Sequence, residues 1–418
     1  MPTPYRAVFA APGTKAFFFS GFVGRMPRSM LGIGIVTMMS QVTGRYELAG
    51  ALSATLALAS AALCPQVSRL VDRYGQRRVL RPVSAVTVLA VGALVVCVWA
   101  KAPDWALFAC AAVAGGTPSL GTMARARWSL IHRGTPLLHA AYSLESVADE
   151  LVFVAGPVLS IGLCTMLFPE AGPLLAGLFL LMGTYALTAQ RSTEPSPHPR
   201  GHHDGGGALR SAGLRVLVAT FAAIGTVFGA VEVATVAFAE EQGHKAAASL
   251  VLAAYASGSC LTGFAFGLLR PTIAASHRFL LGACAMALSM IPLLLVGNLP
   301  FLTMVLFLSG LSIAPTMVTA MALVEQLVPR AKLTEGLTWT STGLTLGTAV
   351  GASLSGAVTD ASGARPAFAV PAVAAAAAAA VAVLGYRRLH EPAPELKVEG
   401  SREHGQRQEQ DQHGGHVA

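Results

Sequence analysis

Six side chains in this sequence stand where charge is costly. Arg25 and Arg28 flank Pro27 in one apolar stretch, Glu145, Asp149 and Glu150 fall in a second, and Glu232 lies in a third. A charge at the centre of a lipid-crossing helix costs about 2.5–3.5 kcal/mol on insertion scales, so such groups must face one another or a cavity. Arg25 and Arg28 are three apart, and Glu145 and Asp149 four apart, so each pair shares a helix face. Glu150 is turned about 100° from Asp149. The chemistry open to them is pairing of Arg25 or Arg28 with Asp149 or Glu150, as a packing tie or as a working charge site. Glu232 has only Thr226 and Thr235 as polar neighbours in its own stretch. An isolated acid in a poor dielectric is suited to exchanging a proton. It is the leading candidate for proton coupling or for binding a cationic substrate, with packing as the other reading. Glu325, near the end of its stretch, carries less weight.

These residues need helices that cross a bilayer. Of 418 residues, 54% are hydrophobic and 12% charged. A soluble domain carries about 25% charged residues, so the chain belongs to the membrane class and a soluble enzyme is excluded. A span needs about 20 mostly apolar residues. Such segments lie near 16–42, 47–70, 81–100, 104–124, 139–167 and 171–190, then near 213–239, 247–269, 277–297, 299–322, 333–358 and 366–388. The expected architecture is all-α, with twelve transmembrane helices in two pseudo-symmetric six-helix bundles, 1–190 and 213–388. A cytoplasmic linker over 191–212 joins them, rich in turn formers, and a disordered cytoplasmic tail covers 389–418. Only Gly297-Asn298-Leu299-Pro300 separates the ninth span from the tenth. The run Ala374–Ala380 reads as a packing face.

The net charge of +8 follows topology. With the N-terminus inside, the outer loops hold only Arg45, Lys101, Lys245 and Arg365, and every other Lys and Arg except Arg25 and Arg28 falls on the inner side. That is the positive-inside pattern, and it places both termini in the cytoplasm; the preference for Arg over Lys and the richness in Ala and Gly point to a GC-rich bacterial genome, and so to a bacterial inner (plasma) membrane. No nucleic-acid partner is implied. The six cysteines are scattered in apolar runs, without a CxxC or a disulfide framework. No cleavable signal peptide is expected, since the first apolar run is long and carries two arginines. His198, His202, His203, His404, His413 and His416 lie in polar stretches where metal binding is not expected. No phosphate-binding loop points to ATP, and neither cofactor nor metal is called for.

The second and third segments are joined by Ser68-Arg69-Leu70-Val71-Asp72-Arg73-Tyr74-Gly75-Gln76-Arg77-Arg78-Val79-Leu80. This resembles the loop signature of the major facilitator superfamily, G-x-L-a-D-r-x-G-r-k-x-x-l, with Ser68 in place of its leading glycine. The resemblance extends over 16–388. It implies that Asp72 with Arg73, Gly75, Arg77 and Arg78 forms a conformational latch, Asp72 docking near the start of helix eleven. A carboxylate is favoured there by about 0.3–1 kcal/mol, although Glu335 would repel it unless an arginine intervenes. The corresponding turn at Leu269-Arg270-Pro271 lacks an acid, so the latch is expected to be asymmetric. Gly156-Pro157 resembles part of an antiporter-associated motif, from which Val152, Ser160 and Ile161 depart. Arg125-Ala126-Arg127-Trp128 resembles a helix-four motif linked to proton coupling, or else forms an anchor with an interfacial Trp. The resemblance implies a monomeric, proton-driven carrier that exports a small amphipathic compound, with uptake of a sugar or other metabolite as the alternative. A transport-inactive sensor or scaffold is the reading from another class.

Overall fold

The computed structural model describes residues 4–197, 207–244, 247–269 and 273–390. Among these, all regular structure is helical. A short helix α1 (Pro4–Val8) precedes a first span broken in two, α2 (Thr14–Arg25) and α3 (Pro27–Thr43). Pro27 has no N–H for the turn before it, and Met26 forms the joint. Next come α4 (Tyr46–Tyr74) and α5 (Gln76–Trp99). Gly75 alone separates them, at φ +90°, where a side chain would be strained. The fourth span is α6 (Asp104–Ala114) and α7 (Leu120–His132), interrupted at 115–119 around Pro118. Then come α8 (Pro136–Met166) and α9 (Ala171–Ala189).

The second half begins with α10 (Ala212–Glu241), whose N-cap Ser211 accepts the Leu214 N–H. It continues through α11 (Ala247–Leu268) and α12 (Ala275–Met290), the latter extended by a 3-10 turn at Ile291–Leu295. The tenth span is α13 (Leu299–Gly310) with α14 (Ile313–Leu327). It starts sharply because Asn298 caps α13, accepting the Phe301 N–H at 2.9 Å. The eleventh is α15 (Leu333–Ser362), and the twelfth is α16 (Ala364–Ala367) with α17 (Ala369–Leu384).

Nine of these stretches among the described residues are long and apolar enough to cross a membrane. The three that fall short are α2–α3, α6–α7 and α15. The first two carry the buried arginines, and α15 is rich in Thr, Ser and Gly. Together they complete twelve spans. Large side chains such as Leu89, Val158, Leu250 and Leu281 are more than half exposed. Such a periphery suits lipid and would be an aggregation liability in water.

Within each half, neighbouring helices pack closely: α2 on α9, α5 on α9, α11 on α13, α10 on α17. The tightest pair is α10 with α15. A Cβ at Gly347 would overlap the Ala222 carbonyl, so small residues set this approach. The halves join crosswise, α4 against α15 and α8 against α11.

Three boundaries differ from expectation. The fourth span runs past 124 to His132 because Arg125 and Arg127 are buried against partners and do not lie in a loop. Residues 191–197 are seated on the first half: Glu194 accepts the Arg77 N–H at 2.8 Å, and Thr193 the Arg127 guanidinium at 2.7 Å. The chain also stays packed to Leu389, which is 3% exposed. The polar histidines, Lys245, the Arg270-Pro271 turn and the tail from 391 lie outside the described residues.

Candidate functional site

The break at Met26 places Arg25 at the end of α2, pointing at α8. Its guanidinium is 4% exposed. It pairs with Glu145 and, at 2.8 Å, with Asp149 Oδ1, while Nε donates to the Gly21 carbonyl at 3.2 Å. The other Asp149 oxygen pairs with Arg125 of α7. Glu145 is fully buried, and its second oxygen accepts the Trp128 indole N–H at 2.8 Å. Two guanidiniums and two carboxylates thus cancel inside one half, and the desolvation cost of each is offset by the others. The two acids differ in access: Glu145 is sealed, whereas Asp149 is 46% exposed.

The sequence offered Arg125 and Trp128 as a helix-four motif or an interfacial anchor, but not their pairing with Asp149 and Glu145. Trp128 is not an interfacial anchor but a core residue with no exposure, ringed by Phe9 and Phe17 and stacked on His132. A signal was present. Arg125 and Trp128 are three apart on α7, and Glu145 and Asp149 four apart on α8, so two matched faces could have been paired. Arg127, fully buried, turns the other way, to Gln76 at 2.8 Å and the Gln190 carbonyl at 2.9 Å.

Arg28 joins no carboxylate among the described residues. It is exposed, yet reaches across the seam to Thr345 of α15 at 3.0 Å. Glu150, turned away from Asp149, accepts from Ser259 of α11 at 2.7 Å. At this level Arg28 and Glu150 each cross to the other half and end on a neutral hydroxyl. Glu232 is exposed and has no hydrogen-bond or ion-pair partner among the described residues. Gly156 and Pro157 lie inside α8 where α3 crosses it, and Ser29 there donates to the Val152 carbonyl at 2.9 Å.

The α4–α5 turn forms a second cluster. Asp72 accepts the Glu335 backbone N–H at 2.9 Å in the first turn of α15. Arg69 donates to the Glu335 carboxylate at 2.7 Å. The same Glu335 oxygen accepts the Ala208 N–H at 3.0 Å. Ser68 meets Thr338 at 2.6 Å. Further along the seam, Glu325 accepts from Ser129 at 2.6 Å and pairs with Arg133 at 3.1 Å. Arg73 stacks over Tyr74, and Arg78 is exposed.

α1 closes this end. Tyr5 stacks on Phe264 of α11 and donates to its carbonyl, while the Val8 carbonyl meets His132 of α7 at 3.1 Å. Burial pushes the Tyr5 phenol up to about 12, which keeps it a neutral donor. The seam-crossing bonds named above run from the level of Arg28 and Glu150 to this end. The halves are therefore tied together at the α4–α5 end.

Helical halves joined along a polar seam, enclosing a balanced charge cluster, define a multi-pass membrane transporter and not an enzyme. The model of the Major Facilitator Superfamily matches residues 17–280 and 217–411, and the chain belongs to this superfamily. Among solved structures, the human organic anion transporter MFSD10 (TETRAN) is similar at TM-score 0.67 and 14% identity, over 93% of this chain and 100% of that one. A bacterial homologue of the iron transporter ferroportin, in an outward-facing state, gives 0.67 and 15% over 90% and 99%. The E. coli fucose:proton symporter FucP gives 0.65 and 12% over 89% and 98%. At such identities the likeness is one of fold. No curated protein sequence matches the chain.

Proposed function

We propose that the chain is a proton-coupled exporter of a small drug-like or secondary-metabolite compound, working by alternating access in a bacterial inner membrane with both termini cytoplasmic. The two six-helix halves rock about the level of Arg28 and Glu150. The Asp72, Arg69 and Glu335 cluster latches the cytoplasmic end in the state described here.

The observation that carries this reading is the unequal pairing of the acids on α8. Glu145 is sealed and holds Arg25 in place, while Asp149 is open to solvent and shared by two arginines. Asp149, already matched by two guanidiniums, holds α2 and α7 on α8, so the coupled proton falls to an acid without one. Glu150, beside it on α8, and Glu232 pair with no guanidinium among the described residues and are the acids suited to take it up. A fold shared with a fucose:proton symporter supports proton coupling, and leaves uptake as the alternative direction.

The test is flux in proteoliposomes under an imposed pH gradient, with compounds chosen by a resistance and accumulation screen in cells with and without the gene. Gradient-driven movement lost in Glu150→Gln or Glu232→Gln, with substrate exchange at equal pH retained, supports the reading. Movement against a gradient of the opposite sign selects uptake, and no flux of any compound selects a scaffold.

A further inference from the structure

α5 and α9 lie side by side, and a groove of about 550 Å³ runs between them, walled by Ala85, Val88, Leu89, Leu181, Met182 and Tyr185. Leu89 is 72% exposed and Met182 55%, so the groove opens outward, where acyl chains lie. Arg81, one turn before Ala85, closes its end nearest the α4–α5 turn. Two contacts fix it: Nε donates to Thr188 at 2.9 Å, and the guanidinium carbon sits 5.1 Å from the Tyr185 ring centre. Its terminal nitrogens have no partner among the described residues, and no carboxylate there forms an ion pair with it. Arg78, three residues earlier on the same face, is exposed and also without an acid.

An arginine held through Nε and its ring face offers its outward N–H groups as the fork that phosphate oxygens accept. An apolar channel ending on such a fork has the form of a phospholipid. We infer that this groove binds an anionic phospholipid, with acyl chain along Val88, Leu89 and Met182, and phosphate on Arg81 with Arg78 as second cation. A phosphatidylcholine headgroup brings its own cation to the phosphate, whereas phosphatidylglycerol leaves the negative charge to the arginines. The site therefore discriminates between them, by about fivefold for a basic residue at a membrane surface.

The test is native mass spectrometry of the purified full chain in mild detergent, with equal phosphatidylglycerol and phosphatidylcholine of the same acyl chains. Phosphatidylglycerol is expected to be retained about fivefold over phosphatidylcholine. Arg81→Gln should bring the ratio towards one. Leu89→Trp, filling the groove from its exposed rim, should lower retention of both lipids, and Arg365→Gln, outside the groove, should leave the ratio unchanged. Equal retention by the unaltered protein overturns the inference, as does a preference that survives Arg81→Gln. Loss of the preference in excess inorganic phosphate also overturns it, by assigning the fork to a free anion. If Arg81→Gln does not fold, undiminished phosphatidylglycerol retention by Leu89→Trp overturns it alone.

Discussion

The Asp72 carboxylate accepts the backbone N–H of Glu335 at 2.9 Å, while the side chain of that same Glu335 takes Arg69 at 2.7 Å. One residue at the start of α15 thus answers two residues of α4, one through its backbone and one through its side chain. A bond to a charged group contributes about 1.5–3 kcal/mol. Asp72→Ala, which removes the accepting oxygen and leaves the Glu335 N–H unmet, should therefore raise the open fraction of this end by roughly ten- to a hundredfold, and Asp72→Asn, which keeps an oxygen there, by less. Spin labels at Tyr74 and Arg330 read it by pulsed dipolar spectroscopy, and an unchanged distance distribution would count against the latch. Glu335→Gln keeps the backbone bond and loses the Arg69 pair, so its effect should be smaller, because Arg69 is 39% exposed and partly screened.

The Arg25–Glu145 pair concerns stability more than gating. Both partners are buried, at 4% and 0% exposure. Glu145→Gln leaves Arg25 relying on Asp149 alone, and breaking a buried pair from one side costs about 3–5 kcal/mol. A clear fall in Tm in detergent is expected. Replacing both, Arg25→Met with Glu145→Leu, should recover part of the loss, since no uncompensated charge remains. A double variant less stable than either single one would show that the pair is not the unit argued here.

Much of this was legible in the sequence, for physical reasons. Lipid demands long apolar helices, so nine of the spans stand out by hydropathy, the other three follow from the spacing and the alternation of basic loops, and Gly297-Asn298-Leu299-Pro300 marks the turn between the ninth and tenth. Charge in an apolar helix must be met, so pairing of Arg25 or Arg28 with Asp149 or Glu150 was expected; Arg25 does meet Asp149, but its buried partner is Glu145, and Arg28 and Glu150 end on hydroxyls instead. What stayed hidden depends on neighbours distant in sequence. Arg125 and Arg127 resemble loop anchors until the helices that bury them are in place. Ser259 and Thr345 are unremarkable alone and acquire meaning only as the neutral ends of Glu150 and Arg28. The seating of Glu194 on the α5 N-terminus ran against a composition that spelled a flexible linker.

α1 links the closed end to the charge cluster. Tyr5 touches α11 in one half, and Val8 and Phe9 touch His132 and Trp128 in the other. Tyr5→Phe keeps the ring stacking and removes the hydroxyl bond. Its net loss is about 0.5–1.5 kcal/mol, or roughly two- to tenfold in the closed-to-open ratio. Tyr5→Ala, which also loses the stack on Phe264, should open this end further. Accessibility of a cysteine introduced at Ser143, whose Cβ lies beside Tyr5 across Gly267, reports the change. Labelling no faster in Tyr5→Ala would mean that α1 does not hold the halves together.

Glu150 and Ser259 allow the proton and the structural tie to be separated. Glu150→Gln keeps an oxygen that accepts the Ser259 hydroxyl, but cannot titrate. Ser259→Ala keeps the titrating carboxylate and removes the 2.7 Å bond across the seam. If Glu150 carries the coupled proton, Glu150→Gln should still exchange substrate across equal pH and lose net movement driven by a pH gradient. Ser259→Ala should keep gradient-driven movement at an altered rate. Substrate counterflow and gradient-driven flux, measured on the same vesicles, separate the two. Full gradient dependence in Glu150→Gln would remove Glu150 from the proton path. Glu232→Gln, run in parallel, then decides whether that acid takes its place, because the amide holds its position while giving up its charge.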